Sequence, residues 1–294
     1  MNKSIMWIVC LPAIFSLGCH VYFGRYKHLP VHVSLSGFDL AFLVILAVFL
    51  LFVLVASAFQ QIYFLGLKGK TGLALQLSRG FFLLPKIKRM LEAMILFNAG
   101  RYGEARERIR HDAFDEADKP RLKSRQIYIY ALCCCNDGKE AEAEKYLQGA
   151  VEANPEKSAM KSACVVALVV SLLMQKKDVQ RASSLMEQEV ANLLVPMRSG
   201  DKARRFAVLA WALAASMRKK EAELAVAQAL ELSAKHSATD RAGVLYTTGE
   251  AWHALGEDVF ARQFFAQSLE LRENGVTALS SRKALARMDA LAIV

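Results

Sequence analysis

Residues 245–265 read LYTTGEAWHALGEDVFARQFF, and their spacing decides the fold. Leu245, Thr248, Gly249 and Trp252 fall on one face of a helix at three- and four-residue steps. Gly256 then interrupts the pattern, and Ala261 and Phe265 recur four apart on a second helix. A small residue in the first helix lets the second approach closely, with another small residue opposite and large ones filling the gaps around the contact. One such hairpin cannot bury its own apolar face, so it requires neighbours of the same kind.

Those neighbours are present from residue 86 onward. Phe206, Leu209, Ala210 and Leu213 are followed by Ala222, Val226 and Ala229. Ile127, Tyr130, Ala131 and Cys134 are followed by Gly138, Ala143, Leu147, Ala150 and Pro155. Weaker copies read Ala93, Leu96, Gly100, Ala105, Ile109 and Val166, Val169, Leu173, Ala182, Met186. The pattern resembles the tetratricopeptide repeat, W-x2-L-G-x2-Y, then A-x3-F, then P. The second-helix alanines Ala105, Ala143, Ala182, Ala222 and Ala261 advance by 38, 39, 40 and 39 residues. That step exceeds the usual 34, which implies longer helices or loops and leaves open a related helical-hairpin solenoid. The resemblance implies an all-α solenoid of about five helix pairs over residues 86–276. Leu279, Ala284, Leu285, Met288 and Leu291 then make residues 277–294 a capping helix. The apolar run 163–174 is too short to span a membrane and suits a buried central helix.

Composition agrees. Six Pro and 16 Gly in 294 residues leave few helix breakers, which excludes collagen-like and linker-type chains. The 54% apolar content is high because of the first sixty residues. Residues 40–59, LAFLVILAVFLLFVLVASAF, hold 15 Leu, Ile, Val or Phe and no charge. Twenty residues at 1.5 Å rise cover roughly 30 Å of hydrocarbon, and insertion is favoured by very roughly 4–9 kcal/mol. Residues 4–23 are uncharged as well, interrupted by Pro12 and Gly18, and read as a retained first helix or as a cleaved signal segment. Residues 1–60 are thus expected to form a transmembrane hairpin. The excess of Lys and Arg after the second helix places that side in the cytoplasm, and the localisation expected is a bacterial inner membrane with cytoplasmic repeats.

Residues 61–85 suit a basic and apolar juxtamembrane segment. Lys68, Lys70, Arg79, Lys86, Lys88 and Arg89 are expected to meet an anionic leaflet, each contributing about 1 kcal/mol. Gly69-Lys70-Thr71 is no phosphate loop, because Phe64 stands where the first glycine would be required.

No catalytic or metal-binding constellation is legible, and no cofactor is expected. The six His lack any H-E-x-x-H partner, and Pro30 spoils the helical turn between His28 and His32. Cys133, Cys134 and Cys135 point about 100° apart on a helix and cannot share one tetrahedral ion; Cys134 is expected in the core and its neighbours on the surface. Nucleic acid is not expected as a partner: of the +10 formal charge only +5, 32 Lys and Arg against 27 Asp and Glu, belongs to residues 86–294.

The concave face of a tetratricopeptide solenoid is lined by the first helix of each pair. Projection places Met90, Met94, Phe97, Asn98, Arg125, Tyr128, Leu132, Asn136, Met174, Arg204, Trp211, Tyr246, Glu250 and His253 there. Such a Met-rich, aromatic surface suits a partner helix or an extended peptide. The competing expectation is that long loops or the chain's own C-terminus fill it. The reading is a non-enzymatic, membrane-anchored adaptor that concentrates partner proteins at the cytoplasmic face. A structural or assembly component of a membrane complex is the alternative. Two membrane helices, a loop ending near Val33-Ser34-Leu35-Ser36, a basic stretch, and Ala99-Gly100-Arg101-Tyr102 opening a second helix give a layout similar to the bacterial HemY family. That resemblance covers about 110 residues and implies a protein organising haem or porphyrin metabolism.

Overall fold

The computed structural model describes residues 37–80, 85–113, 120–155, 158–192 and 199–292. The expected helix over 4–23, with His20, His28 and His32, lies outside the described residues. Among those described there are thirteen α-helices and no strand. The chain divides into two units, Met1–Ser57 and Ala58–Val294.

Helix α1 (Gly37–Leu67) runs 31 residues and carries the uncharged 40–59 stretch. Ile45, Phe49, Leu50 and Leu54 are exposed. The side chains of residues 37–44, 47, 48, 51 and 52 lie outside the description, and among the described residues no helix is long and apolar enough to cross a membrane.

The second unit is a tetratricopeptide-like helical solenoid. After α2 (Thr71–Gly80) come five pairs: α3 (Pro85–Asn98) with α4 (Tyr102–Ala113), α5 (Pro120–Asn136) with α6 (Glu140–Ala153), α7 (Ala159–Met174) with α8 (Val179–Ala191), α9 (Ser199–Ala215) with α10 (Lys219–Ser233), and α11 (Ala238–Ala254) with α12 (Asp258–Leu271). Helix α13 (Val276–Ala292) follows. Local chemistry sets several starts: the Ser158 hydroxyl accepts the Lys161 N–H at 3.1 Å before α7, and Ser237 accepts that of Asp240 at 3.2 Å before α11.

The small residues lie where the helices of a pair cross. Ala105, Ala143, Ala182, Ala222 and Ala261 are all 0% exposed, as are Ala93, Ala131 and Ala210 in the preceding helices. In the last pair a Cβ on Gly249 would stand 2.6 Å from Cε1 of the Phe265 ring, so the glycine is what admits the phenyl group. Residues 58–80 extend the array at its front. Ile62 and Ala74 pack with Leu91 and Ile95 of α3, and Gly66 allows the end of α1 to approach Ile95.

Each pair turns by the same device. Gly100, Gly138, Lys176, Met217 and Gly256 all have positive φ, between 52° and 76°. The next residue donates its N–H back five positions: Arg101 to Leu96, Lys139 to Cys134, Lys177 to Leu172, Arg218 to Leu213 and Glu257 to Trp252, at 2.9–3.0 Å. This is the Schellman closure, which satisfies carbonyls the helix end leaves open. The third turn carries an extra residue, and Asp178 (φ 49°) caps α8 through Arg181 N–H.

Cys133 and Cys135 were expected at the surface, and here the structure differs: they are 0% and 3% exposed, as buried as Cys134. A first helix inside the array is flanked by the layers before and after it, so consecutive side chains are covered on both sides.

The turns give the cleanest test of this account. Nothing surrounds a Cβ at Gly138, so Gly138→Ala isolates backbone strain and is expected to cost about 1–2 kcal/mol in thermal or denaturant unfolding. Met217→Gly, at the equivalent position, is expected to be neutral or to gain up to about 1 kcal/mol.

Candidate functional site

The first helices of the pairs hold the residues assigned to the inner surface, and their environments divide into three groups. Arg125, Met174 and Arg204 are exposed. Met94, Phe97, Asn98, Tyr128, Leu132, Asn136, Tyr246 and His253 are half-buried. Met90, Trp211 and Glu250 are buried, at 8%, 7% and 6% exposure.

The half-buried group is partly engaged by the protein itself. Asn98 Nδ2 donates to Met94 O at 2.8 Å and Asn136 Nδ2 to Leu132 O at 2.9 Å, while Gln175 Nε2 does the same to Ser171 O at 3.2 Å one layer on. These amides close the last turns of their own helices. His253 Nδ1 lies 2.8 Å from Asp258 across the final turn. Tyr128 sits among Cys164, Asp201, Arg204 and Arg205, and burial raises its pKa above the ordinary value.

At the C-terminal end α13 covers the surface. Arg287 Nη2 reaches the buried Glu250 carboxylate at 3.1 Å, and the Tyr246 hydroxyl interacts with both Glu250 and Ser280. Burial, with Glu250 beside it, pushes Tyr246 well above its usual pKa. The Tyr246 ring packs 5.8 Å from Phe265. Sequence reading missed Arg287 and Ser280 because only the packing of α13 brings them to Glu250 and Tyr246. Trp211 is part of the main apolar core, so truncating it opens a cavity at a typical cost of about 3–5 kcal/mol and cannot report on binding alone.

The juxtamembrane cations fall into two sets. Lys68, Lys70 and Arg79 are exposed. Lys86, Lys88 and Arg89 are half-buried on α3, where Lys88 Nζ donates to Arg79 O at 2.9 Å. Leu73 and Leu77 of α2 are exposed, while Ser78 is buried and donates to Glu92 of α3 at 3.3 Å. Among the described residues no group of His, Cys, Asp and Glu is placed to hold a metal ion.

The layers are tied along the turn edge by ion pairs from each second helix to the next turn: Arg106 to Asp137 at 3.0 Å, Glu144 to Lys177 at 3.3 Å, Glu187 to Arg218 at 2.7 Å and Lys219 to Glu257 at 2.5 Å. Their partly exposed partners limit each to about 1 kcal/mol or less.

No protein-family model matches the chain, and no curated protein does. The structure is similar to the crystal structure of Bacillus thuringiensis PlcR in complex with the peptide PapR7 and DNA, with a TM-score of 0.52 and 15% identity over 70% of this chain and 73% of that one. At that identity the likeness is one of fold.

Cys133, Cys134, Cys135 and Cys164 are buried free thiols. Burial raises Cys133 and Cys135 to about 12 and Cys134 and Cys164 to about 11, from an ordinary 9.0. At pH 8 the folded protein should leave these four unlabelled by iodoacetamide, read by peptide mass spectrometry, and all four should react after unfolding. The unfolded chain releases these protons first, so their contribution to stability is full below pH 9 and lost as pH rises through about 11–12.

Proposed function

We propose that this protein is a non-enzymatic adaptor that binds other proteins on the inner surface of its helical array and is held at a membrane by α1. The carrying observation is the unequal use of that surface. Its C-terminal part is occupied by α13, while Met94, Tyr128 and Leu132 remain half-buried and Arg125, Met174 and Arg204 exposed in the layers before it. An amphipathic helix or extended peptide with acidic residues beside its apolar ones fits such a surface. The similar fold of PlcR, whose structure contains the peptide PapR7, supports a peptide-sized guest. Its DNA is not carried over, because the excess charge of residues 86–294 is small and the turn-edge cations are paired.

The membrane part of the proposal rests on residues 40–59 within a single 31-residue helix, with the basic side cytoplasmic. Lys68, Lys70 and Arg79, beside the exposed Leu73 and Leu77, face anionic headgroups in this reading. The sequence layout, similar to that of the HemY family, makes enzymes of haem or porphyrin metabolism one class of guest to look for.

Two measurements test these claims separately. Arg125→Glu combined with Met174→Glu is expected to reduce co-purification of bound proteins in mild detergent at least about tenfold while changing unfolding free energy by about 0.5 kcal/mol or less per site. Unchanged co-purification with an intact fold overturns the inner-surface reading. Phe49→Arg with Leu50→Arg places two charges near the centre of the span, each costing about 2.5–3.5 kcal/mol. The wild type should resist alkaline carbonate extraction and the double variant should be released.

A further inference from the structure

The two ends of the array touch. Arg272, just past α12, donates from Nη2 to the Leu67 carbonyl at 3.2 Å, across 205 positions of sequence. That carbonyl belongs to the last turn of α1, where helical partners run out and a cation is favoured. Asn274 lies against Gly69, and Leu279 of α13 lies against Gly100, where a side chain in place of hydrogen would collide with Leu279 Cδ1. Lys283 Nζ sits 5.7 Å from the centre of the Tyr102 ring.

This joint is unlike the contacts between neighbouring layers. Those are built from fully buried alanines and apolar clusters, the main one running from α3 to α11. Among the described residues the joint is made of Leu279 against Gly100, Asn274 against Gly69, a hydrogen bond from Arg272 to a carbonyl and a cation over a ring. It also contains a cleft of about 490 Å³, bounded by Tyr102, Leu279, Lys283 and the Asn136-Asp137-Gly138 turn. Little apolar surface is sealed there, and open polar contacts of this kind belong to the low-stability end of a fold.

We propose that the joint is a gate: the last helix parts from the first turn to admit a guest to the inner surface and closes again behind it. The inference rests on the inner-surface reading for what enters, but opening itself is measurable with no guest present. Gly100 is tied to closure because its missing side chain leaves the space that Leu279 fills. Arg272 acts as the catch, since it joins the end of α1 to the start of the last helix.

The test uses the full-length protein in mild detergent. Arg272→Ala with Leu279→Asp weakens the joint, and Gly69→Cys with Asn274→Cys staples it. A Cβ on Gly69 would lie 3.8 Å from that of Asn274, within the range a disulfide spans, and the native thiols of the array are buried. The readouts are amide hydrogen exchange over residues 99–105 and 276–283, and fluorescence of anilinonaphthalene sulfonate, which reports accessible apolar surface. The weakened variant should exchange at least about tenfold faster in both segments and raise the dye signal, with α9 to α11 unchanged. The oxidised cysteine pair should suppress exchange and dye binding below its own reduced form, which carries the same strained left-handed cysteine at position 69, where φ is 78°. Faster exchange without added dye signal overturns the gate, because the joint then opens onto nothing. An oxidised pair indistinguishable from its reduced form overturns opening altogether, and decides the matter if the weakened variant does not fold. A working gate combined with unchanged co-purification in the Arg125 and Met174 variant would instead sink the inner-surface reading alone.

Discussion

The array depends on two helices approaching closely enough that only alanine or glycine fits where they cross. Ala105, Ala143, Ala182, Ala222 and Ala261 are fully buried at that crossing, and Gly249 against Phe265 shows how little room is left. Dispersion falls off steeply with separation, so a larger residue at one crossing would separate two helices and loosen contacts on both flanks. The near-constant repeat length follows from this: each pair must deliver its small residue to the same height for the next pair to stack. The turns serve the same end. Three use glycine in the left-handed region, and Lys176 and Met217 are held there although their side chains make that conformation costly.

The periodic features were legible in sequence because the array repeats them. Large and small residues at fixed steps specify a hairpin, and five copies in step specify a stack. What resisted reading depends on packing between elements. Projection can place Trp211 and Glu250 on a face of a helix, but their burial depends on which elements come to cover that face. Cys133 and Cys135 show the same blind spot: a helix wheel separates their directions, while the stack covers both. The left-handed residues Lys176 and Met217 carried no signal, since their conformation is imposed by the helices on either side. Nor did Arg272 carry one, because its partner is a backbone carbonyl far along the chain.

The polar contacts divide by role. Asn98, Asn136 and Gln175 finish helices, and the pairs from Arg106–Asp137 to Lys219–Glu257 align successive turns. Exposed pairs of this kind contribute little to stability, so their value lies in register. Glu250 with Arg287 is a different case. A buried carboxylate without its partner would be costly, so α13 is bound to α11 by need as well as by packing. The last helix is therefore fixed to the last pair at Arg287, about two turns beyond Leu279, and parting at the joint leaves that anchor in place.

The joint between the ends shows which effect governs closure. Bringing residues 67 and 272 together in a flexible chain would cost about 5 kcal/mol of loop entropy, several times the 0.5–1.5 kcal/mol a typical hydrogen bond contributes. Arg272 cannot have drawn the ends together. The stack had already placed them there, each layer adding its rotation and rise, and the extra residue at Asp178 is included in that sum. The contact is thus a readout of curvature accumulated over five pairs: a change of a degree or two at any crossing is multiplied along the array and appears as ångströms at the joint. A guest that alters one layer's packing would be felt at the joint without touching it, so binding and closure are coupled through the same set of alanines.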